Sequence, residues 1–346
     1  MFNSCAFSRH NLDWSRLKLV SSRVKSHMTV DQGAEAPELS VIVPVFNECE
    51  NLRPLVERLI PALACVESFE VLFIDDGSDD ATLQTLRELS HADQRLRALS
   101  FSRNFGKEIA IAAGVDAARG RGALIMDADL QHPPEAICAF IAKWREGFQN
   151  IYGVRRSRET DSAARQWFTG HFYRLFRRFS EVDLPEGAGD FRLLDRAALN
   201  ALKSLRERAR FNKGLYAWIG FKSAGVPFEV AERHAGESKF SYGKLTRFAF
   251  DGIISFTTAP LKAWTFIGTA VAVFALANAV YYLLEALVLG VSAPGYASLI
   301  VSVMLFAGVQ MISLGVLGEY IGRIFAEVKG RPLYLVAETI GETSKG

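Results

Sequence analysis

The sequence predicts an α/β protein with a doubly wound, mostly parallel sheet, followed by a C-terminal part that enters a membrane. Short apolar runs rich in β-branched residues alternate four times with helical stretches between residues 39 and 134, which is typical of doubly wound sheets. Polar side chains gather where each apolar run ends. Residues 265–289 and 297–318 are two apolar spans, each longer than the roughly 20 residues that cross a bilayer.

Composition sets the first limits on function. The chain has 346 residues and a net charge of +2, so it can hold one sizeable α/β domain and more, and nucleic acid is not expected as a partner. Its four cysteines, Cys5, Cys49, Cys65 and Cys138, show no CxxC spacing. The last three fall in or beside predicted helices, so we expect reduced thiols rather than disulfides, and no zinc site.

Four strand–helix units make up the predicted sheet. The expected strands are residues 39–46, 69–74, 96–101 and 123–126. The expected helices are residues 51–66, 81–90 and 105–118, with a fourth that begins at Pro133 or Pro134. There is no GxGxxG after the first strand and no GxxxxGK[ST] in the chain, which argues against a dinucleotide fingerprint and a P-loop.

Asp127 and Asp129 are candidate metal ligands. They follow a buried-type strand and precede Gln131 and a double proline, at the carboxyl end of a strand, where open α/β sheets bind ligands. Two carboxylates this close repel each other unless a cation joins them. Oxygen ligands select a hard divalent ion, Mg²⁺ or Mn²⁺, which usually also holds substrate phosphates. A solvated acidic turn would show the same pattern, so both interpretations stay open at this point.

Polar pairs end the other three strands as well: Asn47 and Glu48, Asp75 and Asp76, Arg103 and Asn104. Each pair alone would suit an ordinary loop. Because the carboxyl ends of parallel strands meet at one edge of a sheet, four such clusters together predict a pocket.

These clusters carry a resemblance to a known family. Pro44-Val-Phe-Asn47-Glu48, Ile74-Asp75-Asp76-Gly77-Ser78 and Asp127-Ala128-Asp129-Leu130-Gln131 resemble the successive motifs of the family 2 (GT-A fold) glycosyltransferases. Further stretches resemble the polyprenyl-phosphate glycosyltransferases, and most of all the bactoprenol glucosyltransferases: Arg103-Asn104-Phe-Gly106-Lys107-Glu108, Gly189-Asp190-Phe191-Arg192, Gly236-Glu-Ser238-Lys239 and Gly318-Glu319-Tyr320-Ile321-Gly322-Arg323. Dolichyl-phosphate mannose synthases are wider relatives. The likeness covers about residues 38 to 336.

The resemblance implies roles for individual residues. Asp75 and Asp76 would hold the uridine of a nucleotide sugar, and Asp127, Asp129 and Gln131 would gather Mg²⁺ or Mn²⁺ on its diphosphate. The full set implied for the nucleotide sugar is Pro44, Asn47, Glu48, Asp75, Asp76, Lys107, Asp127, Arg233 and Lys239. Arg233 and Lys239 would belong to a loop that closes over the diphosphate, or else are solvated loop cations.

Asp190 completes the implied catalytic set with Asp127 and Asp129. The resemblance places Asp190 near the acceptor, although a turn aspartate that bonds its own backbone would look the same in the sequence.

Residues 151–180 combine seven arginines with phenylalanines at helical spacing. A basic amphipathic helix with aromatics is typical of an anionic membrane surface, and a core-facing aromatic stripe is the alternative. Guanidinium groups match phosphate oxygens, so Arg155, Arg165 and Arg192 are the candidates to bind the phosphate of a lipid acceptor.

Five segments are expected along the chain. They are a disordered basic tail at 1–37 without a secretory signal, a cytoplasmic catalytic domain at 38–240, an interfacial amphipathic helix at 241–263, two membrane helices within 264–322, and a cytoplasmic tail at 323–346. Cations flank the outer ends of the membrane helices, so the positive-inside rule places the catalytic domain and both termini in the cytoplasm.

The function that the resemblance implies is inverting transfer of one sugar from a UDP-sugar to polyprenyl (undecaprenyl) phosphate at a bacterial inner membrane. Glucose is the expected sugar, and galactose, GlcNAc, aminoarabinose or a GDP-linked mannose stay open. A processive synthase would carry QxxRW, which the five tryptophans do not show. A non-catalytic membrane scaffold would not need Asp127, Asp129 and Gln131. The resemblance also suggests a homo-oligomer, namely a tetramer.

Overall fold

A computed structural model describes residues 36–155, 188–208, 210–229, 259–289 and 295–341. Several predicted features lie outside these residues. They are nearly all of the basic tail, the arginine- and phenylalanine-rich stretch from 156 to 180, most of the interfacial helix at 241–263, and the candidate residues Arg165, Arg233 and Lys239.

An eight-stranded mixed sheet forms the centre of the fold, with strands in the order β7-β5-β6-β4-β1-β2-β3-β8. The strands are β1 (Leu39–Val45), β2 (Phe69–Asp75), β3 (Leu96–Phe101), β4 (Gly122–Ile125), β5 (Asn150–Arg155), β6 (Ala188–Asp195), β7 (Ser223–Phe228) and β8 (Val336–Ile340). Strands β4, β1, β2 and β3 are mutually parallel, whereas β6 is antiparallel to β4 and β8 is antiparallel to β3.

Eight α-helices accompany the sheet in the described part of the chain. They are α1 (Cys49–Ala62), α2 (Thr82–Ala92), α3 (Lys107–Ala117), α4 (Ile137–Arg145), α5 (Arg196–Ser204), α6 (Asn212–Trp218), α7 (Ala259–Leu289) and α8 (Tyr296–Val328). Pro134–Ala136 forms a 3-10 turn before α4, so the double proline precedes a helix as predicted.

Two apolar layers cover the sheet, which explains why its central strands are continuous Val, Ile and Leu runs. One layer joins β1, β2 and β4 to α1, α2 and α4, and includes Val43, Phe73 and Phe140. The other packs α3, α5 and α6 on the opposite face, and includes Ile42, Ile111 and Leu199. The predicted doubly wound, mostly parallel class is confirmed.

The C-terminal stretch that we expected to be a tail instead completes the sheet. β8 pairs with β3 from Ala98↔Ile340 to Phe101↔Val336. The ring of Tyr334 stacks on Phe101 with centroids 5.1 Å apart. Strand pairing between residues so distant in sequence leaves no local pattern, which is why the sequence did not reveal it.

The last two helices expose large apolar side chains along much of their length, including Phe266, Val273, Met304 and Met311. By length and composition, the stretch Ser302–Val328 could cross a membrane, and Trp264–Asn278 is a shorter apolar stretch. Exposed apolar side chains on this scale do not belong to the core of a water-soluble domain.

The expectation of reduced thiols is wrong for two cysteines. Cys65 and Cys138 are joined as a disulfide, with Cα atoms 5.9 Å apart, while Cys49 is a free thiol. The two residues lie far apart in sequence, and they meet because the 3-10 turn after α1 (Leu63–Cys65) packs beside α4. The spacing of cysteines in the sequence does not predict a disulfide that forms through tertiary packing.

Candidate active site

Asp127 lies just beyond the end of β4, in a loop with a fixed backbone. Its N–H donates to His132 Nδ1 at 3.0 Å, and Leu130 adopts φ = 62°, a left-handed conformation that is uncommon for a non-glycine residue. The His132 ring is buried and stacks on Phe191 with centroids 4.9 Å apart. Burial lowers the pKa of His132, which suits its role as a neutral acceptor. The loop that carries Asp127 is therefore anchored in the apolar core.

Lys107 is the first residue of α3, and its ammonium lies between two carboxylates. Its Nζ lies 2.6 Å from Asp127 Oδ1 and 3.0 Å from Asp190 Oδ2. Burial alone would lower the pKa of Lys107, but the two carboxylates outweigh it and raise the pKa above its usual value. The ammonium is therefore a permanent cation between the two acids.

Asp190 reaches this position because β6 inserts beside β4. The antiparallel register pairs Ile125 with Arg192, so the residues that follow β4 face those that precede Arg192. Burial favours the neutral form of Asp190, yet the charge of Lys107 prevails and lowers the pKa of this carboxyl well below its usual range. The structure thus brings Asp127, Asp190 and Lys107 together.

Asp75 and Asp76 end β2, and both are buried. Asp75 accepts hydrogen bonds from the Ser78 N–H at 3.1 Å and from the Ser100 hydroxyl at 2.7 Å. Asp76 accepts the N–H groups of Phe105 at 2.6 Å and Gly106 at 2.8 Å. Burial raises the pKa of Asp76 despite these two donors. Both carboxylates therefore fix the loops that border the predicted uridine pocket.

Asn47 fastens the end of β1 to the loop after β2. Its side chain donates to Asp79 Oδ1 at 2.6 Å and accepts the Asp79 N–H at 3.0 Å, and its own N–H donates to Ser78 Oγ at 3.0 Å. Glu48 accepts from Asn51 Nδ2. Pro44 lies within β1 at the same edge of the sheet. All three predicted nucleotide-sugar residues thus border one edge with Asp75 and Asp76.

The predicted metal ligands lie in one short loop. Asp129 is largely buried, and its Oδ1 accepts the Gln131 N–H at 3.2 Å. No group of three or more His, Cys, Asp or Glu side chains close enough to hold a metal occurs among the described residues. The oxygen donors of Asp127, Asp129 and Gln131 nevertheless fit a hard cation that completes its shell with substrate phosphates. The position of the Lys107 ammonium shows that a cation fits against Asp127.

The two described candidates for the lipid phosphate differ in exposure. Arg155 ends β5 and is exposed. Arg192 is buried, donates to Asn150 Oδ1 at 2.6 Å, and lies over the Tyr216 ring at 4.4 Å. Burial lowers its pKa to about 10. Because the Arg192 guanidinium is inside the fold, Arg155 is the better placed of the two for an external phosphate.

Several further residues lie beside this cluster and were not predicted from the sequence. Glu108 follows Lys107, and its Oε2 accepts the Asn212 N–H at 2.7 Å. Burial and then the charge of Asp190 raise the pKa of Glu108 to about 7. Lys213 and the buried Tyr216 lie on the same helix, α6. The cation-rich run from Arg206 to Lys213 was a visible signal, but only the fold shows that it reaches the site.

Known proteins similar to this chain are glycosyltransferases, the class of protein that the motifs resemble. The model of the family described as "Glycosyl transferase family 2" matches residues 40–203. An uncharacterized glycosyltransferase from Synechocystis is 45% identical over 305 residues, which is 88% of this chain and 96% of that protein. A prophage bactoprenol glucosyl transferase homolog from Escherichia coli is 41% identical over 301 residues, covering 86% of this chain and 98% of that protein.

Among solved structures, glucosyl-3-phosphoglycerate synthase from Mycobacterium tuberculosis, in complex with Mn²⁺, UDP and its product, is similar with a TM-score of 0.42. It is 17% identical, and the match covers 71% of this chain and 83% of that one.

Proposed function

The chain belongs to glycosyltransferase family 2, and from that membership we propose that it transfers a glucosyl group from UDP-glucose to the phosphate of a polyprenyl lipid. Relatives that are 41% identical over 98% of their own length are named bactoprenol glucosyl transferases. The observation that carries the proposal is the cluster of Asp127 and Asp190 around the Lys107 ammonium, at the edge where β4 ends. Intact acids in this arrangement argue against a non-catalytic scaffold.

The donor would lie along the carboxyl ends of β1, β2 and β4. Asp75 and Asp76 hold the loops that would receive uridine, and Asp127 would hold the cation that binds the diphosphate. A divalent cation, Mg²⁺ or Mn²⁺, held by Asp127, Asp129 and Gln131, would neutralise the charge of the departing UDP. Lys107 would then turn its charge from Asp127 toward the diphosphate, because its ammonium and the divalent cation compete for the same carboxylate.

The acceptor needs little activation. A phosphate monoester is already ionised at neutral pH, so its oxygen can attack the anomeric carbon without a strong base, with inversion at that centre. Catalysis then depends on positioning and on stabilising the leaving group. We propose that Asp190 orients the acceptor side of the pocket, since Lys107 fixes its carboxylate 3.0 Å away.

We also propose that α7 and α8 both cross the membrane. β8 follows α8 and lies in the same sheet as every strand that precedes α7, so the chain leaves and re-enters one side of the membrane. The number of crossings between Ala259 and Val328 must therefore be even. If the apolar stretch of α8 crosses, α7 supplies the return crossing. Arg323, Lys329 and Arg331 mark the sheet-side end as cytoplasmic.

The test is UDP release by the full-length protein in detergent, with undecaprenyl phosphate, Mg²⁺ or Mn²⁺, and a panel of UDP-sugars. We expect UDP-glucose to give the fastest release, with loss of activity on adding a chelator. A preference for UDP-galactose, UDP-GlcNAc or a GDP-sugar would correct the donor. No release with any polyprenyl phosphate, from protein shown to be folded, would refute the proposal.

The oligomeric state is a separate prediction. We propose a homotetramer within a bacterial inner membrane, and the small residues Gly308, Gly315 and Gly318 on α8 would permit close helix contacts. Mass measurement by light scattering in detergent tests this, and a monomer would refute it.

A further inference from the structure

One short stretch of chain contacts both the end of α8 and Glu108, the residue that follows Lys107. Residues 205–208 and 210–213, here called the bridging segment, lead from α5 into α6. The N–H of Arg208 donates to Glu327 Oε1 at 2.7 Å, and its guanidinium donates to the carbonyl of Arg331. At the other end of the segment, the N–H of Asn212 donates to Glu108 Oε2 at 2.7 Å. The bridging segment thus joins the sheet-side end of the membrane helix to the site.

The bridging segment carries four cations, and three of them are engaged within the fold. Arg206 pairs with Asp116 Oδ2 at 2.7 Å. Arg208 binds the carbonyl of Arg331. Arg210 donates to Leu205 O at 2.8 Å and to Asn212 Oδ1 at 3.0 Å. Lys213 is the fourth, and within the described residues it makes no hydrogen bond or ion pair.

Lys213 is half-buried, and its charge acts on Asp190 and Glu108. Its ammonium contributes to lowering the pKa of Asp190, and it opposes the rise in the pKa of Glu108. Neither acid depends on Lys213 as its only partner. Asp190 has Lys107 at 3.0 Å, and Glu108 has the Asn212 N–H. Lys213 is therefore a cation beside the site whose donors are available to a ligand.

We propose that Lys213 binds the phosphate of the lipid acceptor, an inference that rests on the proposed function and deepens it. A phosphate carried by a membrane lipid must approach the cluster from the side on which α8 ends, and the bridging segment lies on that side. A lysine ammonium is a compact charge with three rotatable donors that can follow a phosphate group. The Arg208 and Arg210 contacts hold in place the segment that carries Lys213.

The experiment compares Lys213→Gln with Lys203→Gln in the full-length protein. Lys203 is a suitable control because its Nζ donates to Asp116 O at 3.0 Å, outside the catalytic cluster. Initial rates are measured while undecaprenyl phosphate or UDP-glucose is varied. For Lys213→Gln we expect the acceptor KM to rise about tenfold, as suits loss of a charge-assisted contact, with the donor KM within about twofold. Lys213→Arg should restore much of the acceptor affinity, and Lys203→Gln should resemble the wild type.

A second measurement does not depend on turnover. Native mass spectrometry records binding of undecaprenyl phosphate and of uncharged undecaprenol to each variant. We expect the wild type to prefer the phosphate and Lys213→Gln to lose that preference. This result would support the inference even if the wild type transferred no sugar, in which case only the proposed function would fail.

Three outcomes would overturn the role of Lys213. The first is an unchanged acceptor KM in Lys213→Gln. The second is an equal rise in donor and acceptor KM with a lower Tm, which would make Lys213 a counterion of Glu108 and Asp190. The third is a preference for the lipid phosphate that persists in Lys213→Gln.

Discussion

Two pairs of aspartates at the same edge of the sheet are used in opposite ways. The carboxylate oxygens of Asp75 and Asp76 accept hydrogen bonds from N–H and hydroxyl groups of the neighbouring loops and strand. Asp127 and Asp190 instead share one ammonium, that of Lys107. The first pair builds the walls of the proposed uridine pocket. The carboxylates of the second pair are instead neutralised by a single cation. An acidic pair in the sequence does not reveal which of these uses it has.

The largest effect is expected at Asp127. We expect Asp127→Asn to lower kcat by roughly 10³-fold, because the divalent cation that would neutralise the departing diphosphate loses a charged ligand. Lys107 keeps its pairing with Asp190 in this variant, so the Tm should change little. Steady-state rates and a thermal melt check both parts. Activity within tenfold of the wild type would show that Asp127 belongs with the wall-building pair.

The second largest effect is expected for Lys107→Met, as a loss of stability. Without the ammonium, the half-buried carboxylates of Asp127 and Asp190 repel each other. The free energy of unfolding should fall by about 2 kcal/mol, less than for a fully buried pair because the Lys107 side chain is 42% exposed. Added Mn²⁺ should restore more Tm to Lys107→Met than to the wild type, since the metal replaces the lost cation. Equal shifts in both proteins would contradict this.

Asp76→Asn tests the wall-building pair. Asparagine offers one acceptor oxygen, so either the Phe105 or the Gly106 N–H loses its partner, at a cost of about 1–2 kcal/mol in unfolding free energy. Denaturant unfolding in detergent measures the loss, and titration with UDP should show weaker binding. Titration with Mn²⁺ alone is the control, because its affinity should stay within twofold if the two aspartate pairs act separately.

Glu108 comes last because its effect is visible only as a pH dependence. Its pKa is about 7 in the folded chain against an ordinary value of 4.5. The folded state therefore holds this proton more tightly than the unfolded state, so the contribution to stability is full below about pH 4.5 and is lost as pH rises through 7. Glu108→Gln keeps an acceptor for the Asn212 N–H. Melts from pH 4.5 to 8 should show a smaller decline for Glu108→Gln, and parallel curves would contradict the shifted pKa.

The parallel half of the sheet was predictable from local pattern. The run of Val41, Ile42 and Val43 predicted β1. The predicted ends of β1, β2 and β3 lie within one residue of the observed ends. The positions of Asp75, Asp76 and Asp127 at one edge followed from that topology alone. What these carboxylates bind did not follow, since it depends on donors such as the Gly106 N–H that come from another loop.

The antiparallel half was not predictable, because its pairings join distant residues. Asp190 meets Lys107 only after β6 inserts beside β4. Glu108 meets Asn212 across 104 positions of sequence. The prediction of reduced thiols was wrong for the same reason, since Cys65 and Cys138 are 73 positions apart. Residues whose partners are set by tertiary contacts carry no periodic signal.

The edge strand β8 has a consequence for the order in which the protein can be made. β3 is synthesised early, but its partner β8 emerges only after both long helices, and Leu335 O receives the Ser102 N–H only then. Domains fold as their segments leave the ribosome, so the β3 edge of the sheet stays without its partner strand until α7 and α8 have been synthesised. The pairing of β8 with β3 therefore completes the sheet only after both long helices have been made.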